Sequence, residues 1–182
     1  MPIYVALLRG VNLGPHKRMK MEKLRVSVGA LGFEQIQTYI QSGNVIFKAG
    51  KASPAALCRK IEDRIVADFG FPAAVIVRTR DELGESIESN PFCKRRGIDL
   101  KYLHVTFLAD APEPSALEEL KGLTVSPDES ICVGREIFLH LPNGMARSSL
   151  TNNPIERRLL KAATTRNWNT VNQIYEMCRA CR

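Results

Sequence analysis

Ile3, Val5 and Leu7 alternate with Tyr4, Ala6 and Leu8, and both sets are apolar. A strand with two apolar faces is covered on both, so the first strand belongs at the centre of its sheet. Arg9-Gly-Val-Asn-Leu-Gly14 breaks it, and from about Met19 the residues Met21, Leu24, Val28 and Leu31 recur at helical spacing until Gly32. Next, Gln35-Ile-Gln-Thr-Tyr-Ile40 and Val45-Ile-Phe-Lys48 flank Gln41-Ser-Gly-Asn44, whose Gly-Asn pair tolerates the positive φ of a hairpin turn. Ser53-Pro54 predicts an N-cap with proline in the first turn, and Leu57, Ile61, Ile65 and Phe69 form one face of a helix ending at Gly70. With Pro72-Ala-Ala-Val-Ile-Val77 as a fourth strand, the order is β-α-β-β-α-β, a ferredoxin-like unit.

The same order then returns. Thr79-x-x-Glu82 predicts a capping box and a short helix through Leu83 and Ile87 that stops at Asn90-Pro91, followed by the basic loop Lys94-Arg-Arg-Gly97. Tyr102 to Leu108 reads as a strand, Pro114 to Leu123 as a helix, and Ile131-Cys-Val133 with Ile137-Phe-Leu-His-Leu141 as a hairpin across Gly134-Arg135. The expected fold is therefore α+β: two ferredoxin-like β-α-β-β-α(-β) pseudo-repeats with mainly antiparallel sheets and a C-terminal helical extension. A weak internal duplication is inferred from element order more than from residue identity. The expected boundaries are 1–80 for the first repeat, 81–100 for a connecting helix and basic loop, and 101–182 for the second, modified repeat. In that repeat the last part is expected to give way to a polar connection up to Pro154, a helix from Ile155, and a final helix striped by Val171, Ile174, Cys178 and Cys181.

Polar side chains crowd Ala163-Thr-Thr-Arg-Asn-Trp-Asn-Thr-Val171 more than a loop requires. The segment reads as a helix start with Arg166 in its middle, where free N–H groups and the positive end of the dipole can hold an anion. Thr165, Asn167, Trp168 and Asn169 add hydroxyl, amide and aromatic groups to Arg166, and Arg147-Ser148 supplies further donors. Near the other end of the chain, Arg9 and Asn12 stand among glycines after the first strand, and Gln41, Ser42 and Asn44 form the hairpin turn. These twelve residues are the candidate ligand-binding set, and an Arg can grip a phosphate or carboxylate with two parallel hydrogen bonds.

Four segments together resemble a bacterial family catalogued only as a domain of unknown function: Ala6-Leu-Leu-Arg-Gly-Val-Asn-Leu-Gly14, Thr38-Tyr-Ile-Gln-Ser-Gly-Asn-Val-Ile-Phe47, Leu103-His-Val-Thr-Phe-Leu108 and Ala163-Thr-Thr-Arg-Asn-Trp-Asn-Thr-Val171. The resemblance implies a compact α+β protein with two related halves and brings no established reaction or catalytic residue. Pro15 and Ser149 depart from the pattern, standing where glycine and lysine are expected.

Composition narrows the picture further. An apolar fraction of 45% and a charged fraction of 25% are those of a globular protein and exclude disordered and fibrous classes. No apolar run approaches the ~20 residues of a membrane-spanning helix, and the first nine residues lack a leader's basic start and cleavage site, so no membrane partner and a cytoplasmic location are expected. Five scattered cysteines suit reduced thiols, and Cys178-x-x-Cys181, with no second Cys/His pair, is assigned to helix packing.

The net charge of +7 gathers in Lys17-Arg18-x-Lys20, Lys94-Arg95-Arg96, Arg157-Arg158 with Lys161, and Arg179 with Arg182. It favours an anionic small molecule or nucleic acid as partner. His104 and His140 are expected to meet across neighbouring strands, yet no metal and no cofactor is expected, because no carboxylate or cysteine is placed with them. Three readings stay open: a binding protein for a phosphate-bearing ligand, nucleotide or nucleic acid, at an Arg-rich cleft; an enzyme acting on a phosphorylated or carboxylated metabolite; or no ligand, with the polar segment serving as a structural clamp between the repeats.

Overall fold

The computed structural model describes residues 1–181, so Arg182, named above in a basic cluster, lies outside the described residues. The elements follow in the order β1 (Ile3–Leu8), α1 (Met21–Gly29), β2 (Glu34–Tyr39), β3 (Asn44–Lys48), α2 (Pro54–Phe69), β4 (Val75–Thr79) and α3 (Arg80–Glu88). The sequence of types then repeats as β5 (Leu103–Leu108), α4 (Pro114–Leu123), β6 (Glu129–Val133), β7 (Glu136–His140), α5 (Asn152–Leu159), β8 (Ala163–Asn167) and α6 (Trp168–Ala180). Two four-stranded antiparallel sheets result, ordered β2-β3-β1-β4 and β6-β7-β5-β8, which is the ferredoxin-like arrangement twice.

The chain divides into two compact units, one formed by Met1–Gly84 with the chain from Ile174 onward, the other by Glu85–Gln173. The divisions fall inside α3 and inside α6, whereas the sequence reading set a connection at 81–100 and left the tail with the second half.

In unit 1 every residue of β1 is buried, as its doubly apolar pattern requires, and β1 lies between β3 and β4. Tyr4, Ala6 and Leu8 face Leu24 and Val28 of α1 and Leu57, Ile61 and Ile65 of α2, forming one core. On the other face Val5, Leu7, Ile46, Ile76 and Arg78 are buried as well. Helix α2 starts where Ser53 Oγ accepts from the Ala56 N–H and stops at Gly70, whose φ of 75° suits a left-handed cap. Helix α3 begins with the expected box: Thr79 N–H donates to Glu82 Oε2 at 2.8 Å and Glu82 N–H to Thr79 Oγ1 at 3.1 Å. Gly84 lets α3 approach α6, because a Cβ there would lie 2.9 Å from the Tyr175 hydroxyl.

In unit 2, Leu108, Ile137, Leu139 and Ala163 of the sheet pack with Leu120 of α4 and Ile155 and Leu159 of α5. Two expectations are corrected here. The repeat does not lose its last strand: Ala163–Asn167 is β8, paired with β5, and the helix begins only at Trp168. Two β-branched threonines fit a pleated surface, and pairing with β5 satisfies backbone groups that a helix start leaves open. Nor do the two histidines meet. His140 stands opposite Leu103 and His104 opposite Leu139, so the register turns them to opposite faces of the sheet.

Candidate functional site

The first candidate segment follows β1. The Arg9 N–H is tied to the Ala74 carbonyl at 2.8 Å and the Arg9 side chain is half-buried. Asn12, at φ 57°, donates through Nδ2 to the Met19 carbonyl at 2.8 Å and the Gln41 carbonyl at 2.7 Å, while Oδ1 accepts from the Met19 N–H at 2.7 Å. One amide side chain thus closes the 12–19 loop and fastens it to the hairpin. In the turn, Gly43 has φ 75° and a Cβ there would lie 2.7 Å from both Leu8 Cβ and Val11 Cγ2. Buried Asn44 donates to the Tyr39 carbonyl at 3.0 Å and to Ser42 Oγ at 2.9 Å. Asn12, Ser42 and Asn44 therefore shape the place more than they offer groups to a ligand.

What they shape is a cleft of about 650 Å³, lined by Asn12, Gly14, Arg18, Met19, Lys20 and Gln41. Its lining, among the described residues, carries two cations and no acid. Among the described residues the Arg18 side chain makes one long hydrogen bond, Nε to the Gly14 carbonyl at 3.4 Å, and the Lys20 amine makes none. Neither residue was in the sequence-derived set. Their signal in the sequence is the cluster Lys17-Arg18-x-Lys20.

The second segment, in unit 2, is differently built. On β8, Thr164 and Arg166 point to one face and Thr165 and Asn167 to the other. Arg166 is buried; its Nη1 donates to Thr164 Oγ1 at 2.7 Å and to the Thr165 carbonyl at 3.0 Å. Burial pushes its pKa down to about 10, which leaves it charged at neutral pH. Thr165 Oγ1 lies 2.7 Å from Thr106 Oγ1 and donates to Asn152 Oδ1 at 2.7 Å. Asn167 Oδ1 accepts from the Thr170 N–H at 2.8 Å, capping α6, and Trp168 is buried. A buried indole offers no face for a base to stack on. Asn169 and Arg147 are exposed, and Ser148 Oγ accepts from the Leu150 N–H at 3.0 Å.

The sequence reading missed Arg78. It is fully buried on β4, opposite Val5, and its Nη1 donates to the Val77 carbonyl at 3.1 Å, as Arg166, opposite Val105, donates to Thr165. Each arginine is the next-to-last residue of a final strand and precedes a residue that caps the following helix. That pattern, Arg78-Thr79 and Arg166-Asn167, stands in the sequence once β8 is read as a strand.

His104 is half-buried, and its buried Nδ1 has no hydrogen-bond partner among the described residues. Burial lowers its pKa more than the nearby Tyr102 carbonyl raises it. His140 Nδ1 lies 3.1 Å from Glu129 Oε1, and Arg95 holds the other oxygen of Glu129 at 2.6 Å; both contacts lower the Glu129 pKa, the Arg95 one more. Cys178 is buried, which pushes its thiol up to about 12 and suits helix packing, not redox exchange. Among the described residues no group of three or more His, Cys, Asp and Glu is placed to hold a metal ion, and no helix is long and apolar enough to cross a membrane.

Two ferredoxin-like units, each with one buried arginine on its final strand, define a mixed α+β protein in which the same strand order occurs twice. The chain belongs to the family described as protein of unknown function DUF1697, whose model matches residues 1–138. It is similar in fold to the conserved bacterial protein SP0830 from Streptococcus pneumoniae, at 22% identity and a TM-score of 0.79, over 98% of this chain and 99% of that one. No curated protein matches the chain.

Proposed function

We propose that the protein binds a phosphate-bearing ligand, a nucleotide or nucleic acid, at the unit 1 cleft between the β1–α1 loop and the β2–β3 turn. The observation that carries this reading is the cleft's lining, in which, among the described residues, Arg18 and Lys20 stand free of carboxylates beside Gln41. The charge of the units agrees with it. By sequence, unit 1 has 15 Lys and Arg against 8 Asp and Glu, a net of +7, and unit 2 has 11 against 11. An anion approaching the chain is steered to unit 1.

In this reading Arg166, Thr165 and Asn167 fasten β8 and α6 and hold no ligand, which supports the structural reading of that segment. The matched element orders and the Arg78/Arg166 pair support an origin by duplication. The five free thiols support a cytoplasmic location.

The test is calorimetric titration of the full chain with inorganic phosphate, a nucleoside monophosphate and a single-stranded oligonucleotide. Arg18→Ala/Lys20→Ala is expected to weaken the bound ligand at least tenfold, about 1.4 kcal/mol. A steep loss between about 50 and about 200 mM salt identifies an extended strand, and a shallow one a small ligand. If none of the three binds, or the double variant binds like the wild type, the reading fails.

A further inference from the structure

Beyond the opposite end of β3, unit 1 has a second concavity, a groove of about 360 Å³. It is walled by Leu31 and Phe33 after α1, Ala49 and Lys51 between β3 and α2, and Leu57 and Lys60 on α2. Phe33 stacks on Phe47 with ring centroids 4.6 Å apart and planes at 15°, so the wall is fixed by the core behind it. Its floor is apolar, and among the described residues its lining has two cations and no acid. The Lys51 amine has no partner among the described residues, and Lys60 Nζ stands 5.8 Å from the Phe33 ring centroid.

Unit 2 shows what fills the matching place when the protein fills it itself. The β3–α2 connection has five residues, 49–53, whereas the β7–α5 connection has eleven, 141–151. The longer one folds inward. Leu150 is fully buried in the core of unit 2, and Ser149 Oγ donates to the carbonyl of Leu123, the last residue of α4, at 2.7 Å. In unit 1 the connection before the second helix buries only Ala49 in the core, and among the described residues no hydrogen bond ties it to the end of the first helix. Gly50 presents bare backbone there, with nothing within 4 Å of where its Cβ would be.

We propose that this groove is a binding site for a small aromatic carboxylate, distinct from the Arg18 cleft, with the ring against Phe33, Ala49 and Leu57 and the carboxylate held by Lys51 and Lys60. Apolar walls with a few convergent polar groups, at this volume, are the usual make-up of a small-molecule site. The two lysines choose the sign of the ligand's charge; Lys51 has no partner among the described residues to give up, and Lys60 has only its contact with the Phe33 ring.

The test is titration of the 15N-labelled full chain with 2-naphthoate, followed by amide NMR, with 2-naphthylmethanol as the uncharged control. Naphthoate is expected to shift amides at 31–33 and 49–60 and to leave those of 12–20 in place. Lys51→Ala/Lys60→Ala should weaken naphthoate at least fivefold while changing the alcohol less than twofold, and Ala56→Leu, which narrows the groove without changing charge, should weaken both. Phosphate binding at Arg18 and Lys20 should be untouched by Ala56→Leu, so the two sites can fail separately. Shifts that are absent or centred on 12–20, or naphthoate affinity unchanged in both variants, would overturn the proposal.

Discussion

Units 1 and 2 share one topology and differ in what fills it. Unit 1 holds the net positive charge, a short β3–α2 loop and the cleft and groove described above. Unit 2 is electrically balanced, and its corresponding loop is folded into its own core. A second difference lies on the helix-facing side of the sheets. Where unit 1 pairs Ala6 with Val77, unit 2 pairs Thr106 with Thr165, whose hydroxyls bond each other and Asn152. The apolar pair needs only packing, while the threonine pair holds only while each hydroxyl keeps its partner. Equal topology thus leaves one unit free to present surface and makes the other depend on internal polar bonds.

The sharpest break of this comparison comes at the hairpin turns. Gly43→Ala drives a Cβ to 2.7 Å from Leu8 and Val11 at φ 75°, whereas Gly134→Ala at φ 59° meets nothing within 4 Å. The first should cost about 2–4 kcal/mol and the second about 1 kcal/mol, read by urea denaturation. Equal losses would mean that the unit 1 turn is not held by the close approach to β1.

Next in size is the hydroxyl pair. Thr165→Val leaves Asn152 Oδ1 and Thr106 Oγ1 short of a partner and should cost about 1–3 kcal/mol. Thr106→Val/Thr165→Val, which recreates the apolar pairing of unit 1, should cost less than the sum of the two single changes. Strict additivity would show that the hydroxyls act independently.

The charge asymmetry predicts a smaller effect. Arg157→Ala/Arg158→Ala removes two exposed cations from unit 2, one of them paired with Glu119 at 2.7 Å, and should change anion affinity less than twofold. A loss matching that of Arg18→Ala/Lys20→Ala would shift the binding site away from unit 1.

A further effect is one of pH. His104 has a folded pKa below its unfolded value, so above about 6.5 it is neutral in both states and costs nothing. Below that, the unfolded chain takes up the proton first, and stability falls as pH falls until the folded pKa is reached. The slope from one such group is at most about 1.4 kcal/mol per pH unit. His104→Gln should flatten urea midpoints measured between about pH 7 and about pH 5; an unchanged slope would assign the acid sensitivity to carboxylates.

Much of the fold was legible in the sequence. The doubly apolar β1, the Ser53-Pro54 helix start and the Thr79/Glu82 box are set by side-chain period and by local hydrogen bonds, and each formed as expected. The candidate site was legible only in part. Asn12, Gln41, Ser42 and Asn44 do come together, but as the frame of a cleft whose cations are Arg18 and Lys20. A run of charges on a loop gives no sign of whether a concavity lies beside it.

Ala163–Asn167 separates what each level decides. The sequence determined that the segment is polar, that it holds an arginine and that a helix follows. Only the tertiary structure made it a strand, because a segment of threonines, arginine and asparagine has no apolar period of its own. Its backbone is claimed by β5, which lies far from it in sequence and leaves that edge open for pairing. Once paired, alternation sends Arg166 to one face and Thr165 to the other, so the direction of the guanidinium is a property of the sheet.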